Sequence, residues 1–402
     1  MNTKINLKKI VAISLLIIAT SFSLTVFAQK EVIYSSDWGE KLPSFPNHLI
    51  LKSNVVFVHE DMTMTCDSAV FNTEENLINA YNNIHIYQDT LHLYGDEFIY
   101  DADTKIAEIF GDTVTLYDNN TTLQTDYMVM DREAQTVRYT THAYIWDEEN
   151  TLESELGTYL IDTKIFEFTK QVKLNSPQVN ILSDSLFYES KTDIARFYNK
   201  TDITTKDSVK IYTSQGFYNT KTDDATLFKD NLIISDSKHL IADSIYYNTK
   251  TENAKAFRNI FIKDSVNQII AYSHYLEKDK KGEIPYIYLT TDLLLQQIEE
   301  QDTLHLHCDS VWIYFDTTMK AENMYAYNHV KFFRQDMQGV SDLLHYDVKD
   351  SLVYFLGLPV LWSEENQFTA DTISLKTSKT TIKEMYMYPN VIIAQNSDTT
   401  TK

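Results

Sequence analysis

Short runs in which apolar and polar residues alternate recur along the chain from Leu49 to about Gln395. Such runs, each about five to eight residues long and bounded by polar clusters, predict half-buried β-strands. The commonest phrase is an asparagine followed by apolar-x-apolar, as in Asn54-Val55-Val56-Phe57, Asn83-Ile84-His85-Ile86, Asn231-Leu232-Ile233-Ile234, Asn259-Ile260-Phe261-Ile262 and Asn390-Val391-Ile392-Ile393. Looser versions pair Val114 with Leu116, Val172 with Leu174, and Val330 with Phe332. Residues i and i+2 of a strand share a face, so all these pairs are expected to line one continuous apolar wall.

The phrase belongs to a longer repeat. "CDSAVFNTEENLINAYNNIHIYQ" from Cys66, "GDEFIYDADTKIAEIFGDTVTLYD" from Gly95, "SDSLFYESKTDIARFYNKTDITTKD" from Ser183 and "ADSIYYNTKTENAKAFRNIFIKD" from Ala242 align over most of their length. Weaker copies start near Thr125, Leu156, Ser214, Tyr272, Cys308, Ser341 and Ala370, giving about eleven units with a period of roughly thirty residues. An aspartate opens most of them (Asp67, Asp96, Asp126, Asp184, Asp243, Asp309, Asp342 and Asp371), with Gly157, Ser214 and Tyr272 in its place elsewhere. Aspartate at a strand entrance is expected to shape a turn by accepting backbone N–H bonds. A calcium ladder would need glycine-rich nonapeptides, which are absent. Clusters such as "NTKT" at Asn219 and Asn248 are ordinary strand connectors, and strands joined in series by short turns are antiparallel by default. The expected fold is therefore a single elongated all-β array. Its boundaries read as 29–48 leader or linker, 49–277 repeats, 278–395 a continuation after a Lys-rich loop near Gly282 that is expected to be a bend or a boundary between two sub-arrays, and 396–402 a polar tail.

Composition agrees: 27 tyrosines and 20 phenylalanines against 8 glycines and 6 prolines favour strands. Lys4, Lys8 and Lys9 precede an apolar run ending in Val26-Phe27-Ala28, the pattern of an export signal spanning 1–28 and cleaved after Ala28. Its removal takes away three lysines and no acids, moving the net charge from −22 to −25. That balance argues against nucleic acid as a partner, because phosphate binding needs clustered positive charge. Lys278, Lys280 and Lys281 come nearest to a basic cluster. Cys66 and Cys308, 242 positions apart, exclude a disulfide-stapled fold and read as buried thiols.

No catalytic chemistry stands out. Neither G-x-S-x-G, HExxH, CxxC nor a P-loop occurs, and the many carboxylates recur with the repeat, so no acid pair is singled out. His85 with His92, and His305 with His307, could be metal-binding pairs, but they alternate with inward leucines and read as outward polar residues. The expectation is no enzyme, no cofactor and no metal.

The order of phrases in "LKSNVVFVHEDMTMTCDSAVFNTEENLINAYNNIHIYQDTLHLYGDEFIYD", "TLQTDYMVMD", "LESELGTYLIDTKIFEFTKQVKLNSP" and "ILSDSLFYESKT" resembles the OstA/LptA family of periplasmic lipopolysaccharide-transport proteins, specifically the OstA-like proteins of Bacteroidota. The likeness runs from about Leu49 to Lys206 and more loosely to Gln395. Where family members carry Gly-Asn-Val, this chain has Asn82 before Asn83 and Arg258 before Asn259, which alters turn geometry rather than the apolar face. The resemblance implies a twisted antiparallel β-jellyroll whose groove holds acyl chains, a periplasmic carrier or bridge for lipopolysaccharide or a related glycolipid, and stacking on other components of that system through strand edges. The groove would be lined by Val55, Phe57, Ile84, Ile86, Val114, Leu116, Val172, Leu174, Leu232, Ile234, Ile260, Ile262, Val330, Phe332, Val391 and Ile393. An acidic surface would repel lipid phosphates unless divalent cations or local lysines intervene. Two other classes compete: a surface or adhesive β-repeat protein without a lipid, and a β-helical polysaccharide-active enzyme, for which asparagine ladders and a charged cleft would be expected.

Overall fold

The computed structural model describes residues 32–280, 282–299, 302–378 and 381–395, and the expected export signal, the tail from Asn396 and Lys281 lie outside them. Among the described residues there are 34 strands, joined in one antiparallel sheet. The first eight set the pattern: β1 (Ile33–Ser35), β2 (Trp38–Leu42), β3 (Phe45–His59), β4 (Met62–Asn72), β5 (Leu77–Gln88), β6 (Leu91–Asp101), β7 (Ile106–Asp118) and β8 (Thr121–Asp131). From β3 on, each long strand pairs with the next.

Every long strand is kinked near its middle. In β5 the ladder to β6 skips between Tyr81 and Ile84, where Asn82 and Asn83 have φ of 64° and 52°. The same pair of left-handed residues recurs at Ser53-Asn54, Lys170-Gln171, Arg258-Asn259, Thr291-Asp292 and Asn328-His329. Left-handed backbone costs most L-residues about 1–2 kcal/mol and asparagine less, because its short amide bonds locally. The repeated aspartate supplies that bond. Asn83 Nδ2 donates to Asp67 at 2.7 Å, Asn54 to Asp37 at 2.7 Å, Asn259 to Asp243 at 3.0 Å and Asn390 to Asp371 at 2.9 Å. In these units the aspartate therefore clamps a corner on the following strand; only at Asp96, which accepts the Asp112 N–H at 3.1 Å, does it take the expected backbone bond.

The kinks fold the meander into two facing halves that meet at the corners, with short hairpin turns along one rim and longer turns along the other. The interior between them is apolar: Ile78, Ala80, Ile84 and Ile86 of β5 face Leu91, Leu93, Phe98 and Tyr100 of β6 on the same buried side. Small side chains fill the corners, and Cys66, Ser154, Ser183, Thr213, Ser273, Cys308 and Ser341 each donate to the carbonyl two residues on. Both cysteines are free and buried, in a column of hydroxyl residues.

Two expectations change. The described part of the 29–48 leader does not stay outside the pattern, because β1 and β2 both pair with β3 and lengthen the array at its start. Nor does the ladder break near Gly282: Ile269–Asp279 pairs with Tyr286–Gln297 on both sides of the corner, so the Lys-rich loop is only a longer turn.

Candidate functional site

Along the interior, the two ends differ in how tightly the halves meet. From Leu49 to about Ile260 the inward side chains are almost wholly covered, with Ile109, Val114, Leu116, Phe197 and Tyr218 all at 0% exposure. From Ile269 on, the corner positions such as Leu293, Val311, Ala326 and Val330 stay buried, but Leu295, Leu304, Ile313, Met324, Tyr346, Val353 and Ile382 are only half-buried. There the halves stand apart around an apolar cleft of about 240 Å³, lined also by Leu306, Phe332, Met337, Leu344, Phe355 and Leu375.

The rims explain the difference. A buried tyrosine sits at the rim end of the inward row in Tyr100, Tyr159, Tyr188, Tyr218 and Tyr247. Tyr100 OH lies 2.8 Å from His59 Nδ1 on the opposite rim and accepts from Arg132 Nη1 at 3.1 Å. Tyr159 donates across the mouth to Asp118, which also accepts from Lys164 and, at 2.7 Å, from Thr90. Burial pushes the Asp118 carboxyl up, but these hydrogen bonds outweigh it and hold the group below the usual aspartate value. The positions in register with the rim tyrosines in the later units are Lys278, Ile313, Tyr346 and Leu375, two of them without a polar tip. Arg334, at the cleft, forks onto its own rim's Asp336 at 2.5 and 2.7 Å.

The sixteen groove candidates divide accordingly. Val55, Phe57, Ile84, Ile86, Val114, Leu116, Val172, Leu174 and Ile260 are buried in the tightly packed interior, with Ile262 half-buried against it. Val330 is buried beside the cleft and Phe332 lines it. Leu232 and Ile234 do not share the face: the inward row steps from Leu227 to Asn231, four positions as from Ala80 to Ile84, so Asp230 holds the corner and Asn231 and Ile233 turn inward. Asn231 turns in with it, 2% exposed, donating to the carbonyls of Ala242 and Asp243 and accepting from Thr213. Val391 and Ile393 are 46% and 56% exposed, because among the described residues the strand Ile392–Gln395 pairs on one side only. Most cleft residues were not among the candidates, and rim tyrosine marks them only in part, because Phe71 and Met130 replace it in the sealed segment and Tyr346 keeps it in the cleft.

Other candidates carry less. His85 and His92 stack on the outer face with their nitrogens 3.0 Å apart, and among the described residues no group of three or more metal-ligating side chains forms. Lys278 and Lys280 both pair with Glu252, which neutralises part of the basic cluster. No helix among the described residues is long and apolar enough to cross a membrane.

An antiparallel sheet folded on itself, sealed along most of its length and open to an apolar cleft at one end, defines a β-jellyroll. Residues 38–184 match the family described as OstA-like protein, and residues 298–381 match the one described as LptA/(LptD N-terminal domain) LPS transport protein. The chain is thus an OstA/LptA-like protein with a region of each kind. It is also similar to LptH, the LptA homologous periplasmic component of the lipopolysaccharide transport device of Pseudomonas aeruginosa, at 13% identity over 35% of this chain and 84% of that one. The TM-score of that superposition is 0.18, too low to relate the two shapes. No curated protein matches the chain.

Proposed function

We propose that the protein is a periplasmic carrier or bridge in lipopolysaccharide transport that holds the acyl chains of lipopolysaccharide or a related glycolipid in the cleft between Ile269 and Ile382 and performs no chemical step. The observation that carries this reading is coincidence in place: the open apolar cleft falls on the segment similar to the LptA/LptD N-terminal family. Its side chains can bind an acyl chain by burial alone, at about 0.8 kcal/mol per CH₂, which makes an acidic surface compatible with a lipid ligand. The ends of the sheet supply partner surfaces. Among the described residues β1 and β2 at the start, and Thr381–Tyr388 with Ile392–Gln395 at the end, each have one edge without a strand neighbour. Exposed Ile33, Trp38, Tyr388 and Ile392 lie on them, which suits edge pairing with another component of the same fold.

The test is mass spectrometry of lipid co-purified with the full chain from the periplasm. The reading expects acylated glycolipid bound to the wild type and lost when Leu306 and Met324 are both changed to Asp. A surface or adhesive protein would carry none, and retention by the double variant would contradict the cleft assignment.

A further inference from the structure

The mouth of the sealed segment is closed by charge and hydrogen bonds between turns that are not neighbours in the sheet. Arg132, whose side chain is 2% exposed, comes from the turn after β8 and reaches back to the hairpin between β3 and β4, with Nη2 2.6 Å from Asp61 and 3.5 Å from Glu60. Lys105, from the turn after β6, meets Glu60 at 2.9 Å. Lys164 meets Asp118 in the same sense further along, under the second rim tyrosine. The geometry repeats with the fold: Tyr100 to His59 and Tyr159 to Asp118 each span 41 positions.

These closures are polar and incompletely satisfied, unlike the core beneath them. Arg132 Nε and Gln88 Oε1 are buried there without a hydrogen-bond partner. Beyond Lys164 the rims stand around a polar gap of about 660 Å³, with Lys164, Lys191 and Lys221 on one rim and Asp147, Glu148 and Glu149 on the other. A seam held by polar contacts can part while the ladder keeps the halves joined at the corners, letting solvent reach the interior from the rim down to corner side chains such as Cys66. In the cleft segment Arg334 pairs with Asp336 along its own rim, and that segment is open.

We infer that Arg132 with Asp61 and Glu60, and Lys164 with Asp118, are latches that hold the first two-thirds of the groove shut, so that an acyl chain resides in the C-terminal cleft and moves along the interior only when the latches part in turn. The lipid half of this inference rests on the carrier reading above; the latch itself does not.

Two native thiols read the latch without any ligand. Cys66 lies in the latched segment and Cys308 in the open one, 5% and 1% exposed, their pKa values pushed up by burial to about 11 and about 12. In the full chain, modification by Ellman's reagent is expected to accelerate at Cys66 by about threefold in Arg132→Met, with Cys308 unchanged and Glu133→Gln, exposed in the same turn, behaving as wild type. No change at Cys66, or equal acceleration at both thiols, overturns the latch, since the contact would then be idle or would support the whole fold. A second arm uses lauric acid bearing a diazirine. Wild type is expected to label only within 269–382, and Arg132→Met also within 49–262. Wild-type labelling of both segments overturns the latch. Labelling of neither refutes the carrier reading, and the thiol rates then decide the latch alone.

Discussion

Removing either partner of the Arg132–Asp61 pair breaks the same 2.6 Å contact, yet the two losses are predicted to differ. The Arg132 side chain is 2% exposed and that of Asp61 60%. Asp61→Ala leaves a buried guanidinium with only Glu60 at 3.5 Å and the Tyr100 hydroxyl, and taking one partner from a buried pair costs about 3–5 kcal/mol. The remaining Glu60 places the expected loss near the lower end, about 3 kcal/mol. Arg132→Met instead leaves Asp61 in water, removes the unpaired Nε and fills the site with apolar volume, so its cost is about 0–1 kcal/mol. Because each layer of a repeat array contacts mainly its neighbours, whole-chain melting does not isolate this difference. Native-state hydrogen exchange at the amides of β3, β4 and β6 does. An equal loss in both variants, or a larger one for Arg132→Met, would refute the argument that desolvation of the arginine governs the pair.

Three further predictions follow from single sites. Asn83→Ala forces alanine to φ 52° and breaks the bond to Asp67, lowering local stability by about 1–2 kcal/mol, whereas Asn83→Gly recovers the backbone share; exchange at β4–β6 amides reads both. Because Asp118 is held below its ordinary value near 3.8, its contribution is present above that pH and lost as pH falls through the lower folded value; melting from neutral pH to about pH 2 should show the wild type's advantage over Asp118→Asn disappearing in acid. At Gly339 a Cβ would stand 2.4 Å from Leu361 and 2.6 Å from the Phe332 ring, so Gly339→Ala should push Phe332 into the cleft and weaken binding of a fluorescent fatty acid, while Gly39→Ala, whose nearest contact is 3.5 Å, should not.

Much of the fold is legible in the chain because strand length, turn length and corner all repeat. The inward positions follow wherever the Asn phrase is preceded by a second left-handed residue, as at Ile84 and Ile86. They fail at Leu232 and Ile234, where Asp230 takes the corner and Asn231 the first inward position, and at Val391 and Ile393, where among the described residues no further strand covers them. Alternation reports which side a residue faces and says nothing of how far apart two facing halves stand. That distance depends on contacts such as Tyr100 with His59 and Arg132 with Asp61, between residues 41 and 71 positions apart. The open cleft was therefore hidden, and Ile313 and Leu375, in register with Tyr247, do not mark it alone, since Phe71 and Met130 hold the same position in the sealed segment.

The central claim is that acyl chains lie in the C-terminal cleft and not along the whole interior. A photoreactive amino acid placed at Met324 in the cleft, or at Ile109 in the sealed interior, followed by ultraviolet crosslinking in cells and detection of lipopolysaccharide, tests it most directly. The account predicts a strong adduct at position 324 and at most a faint one at 109. An adduct at 109 with none at 324 would contradict it.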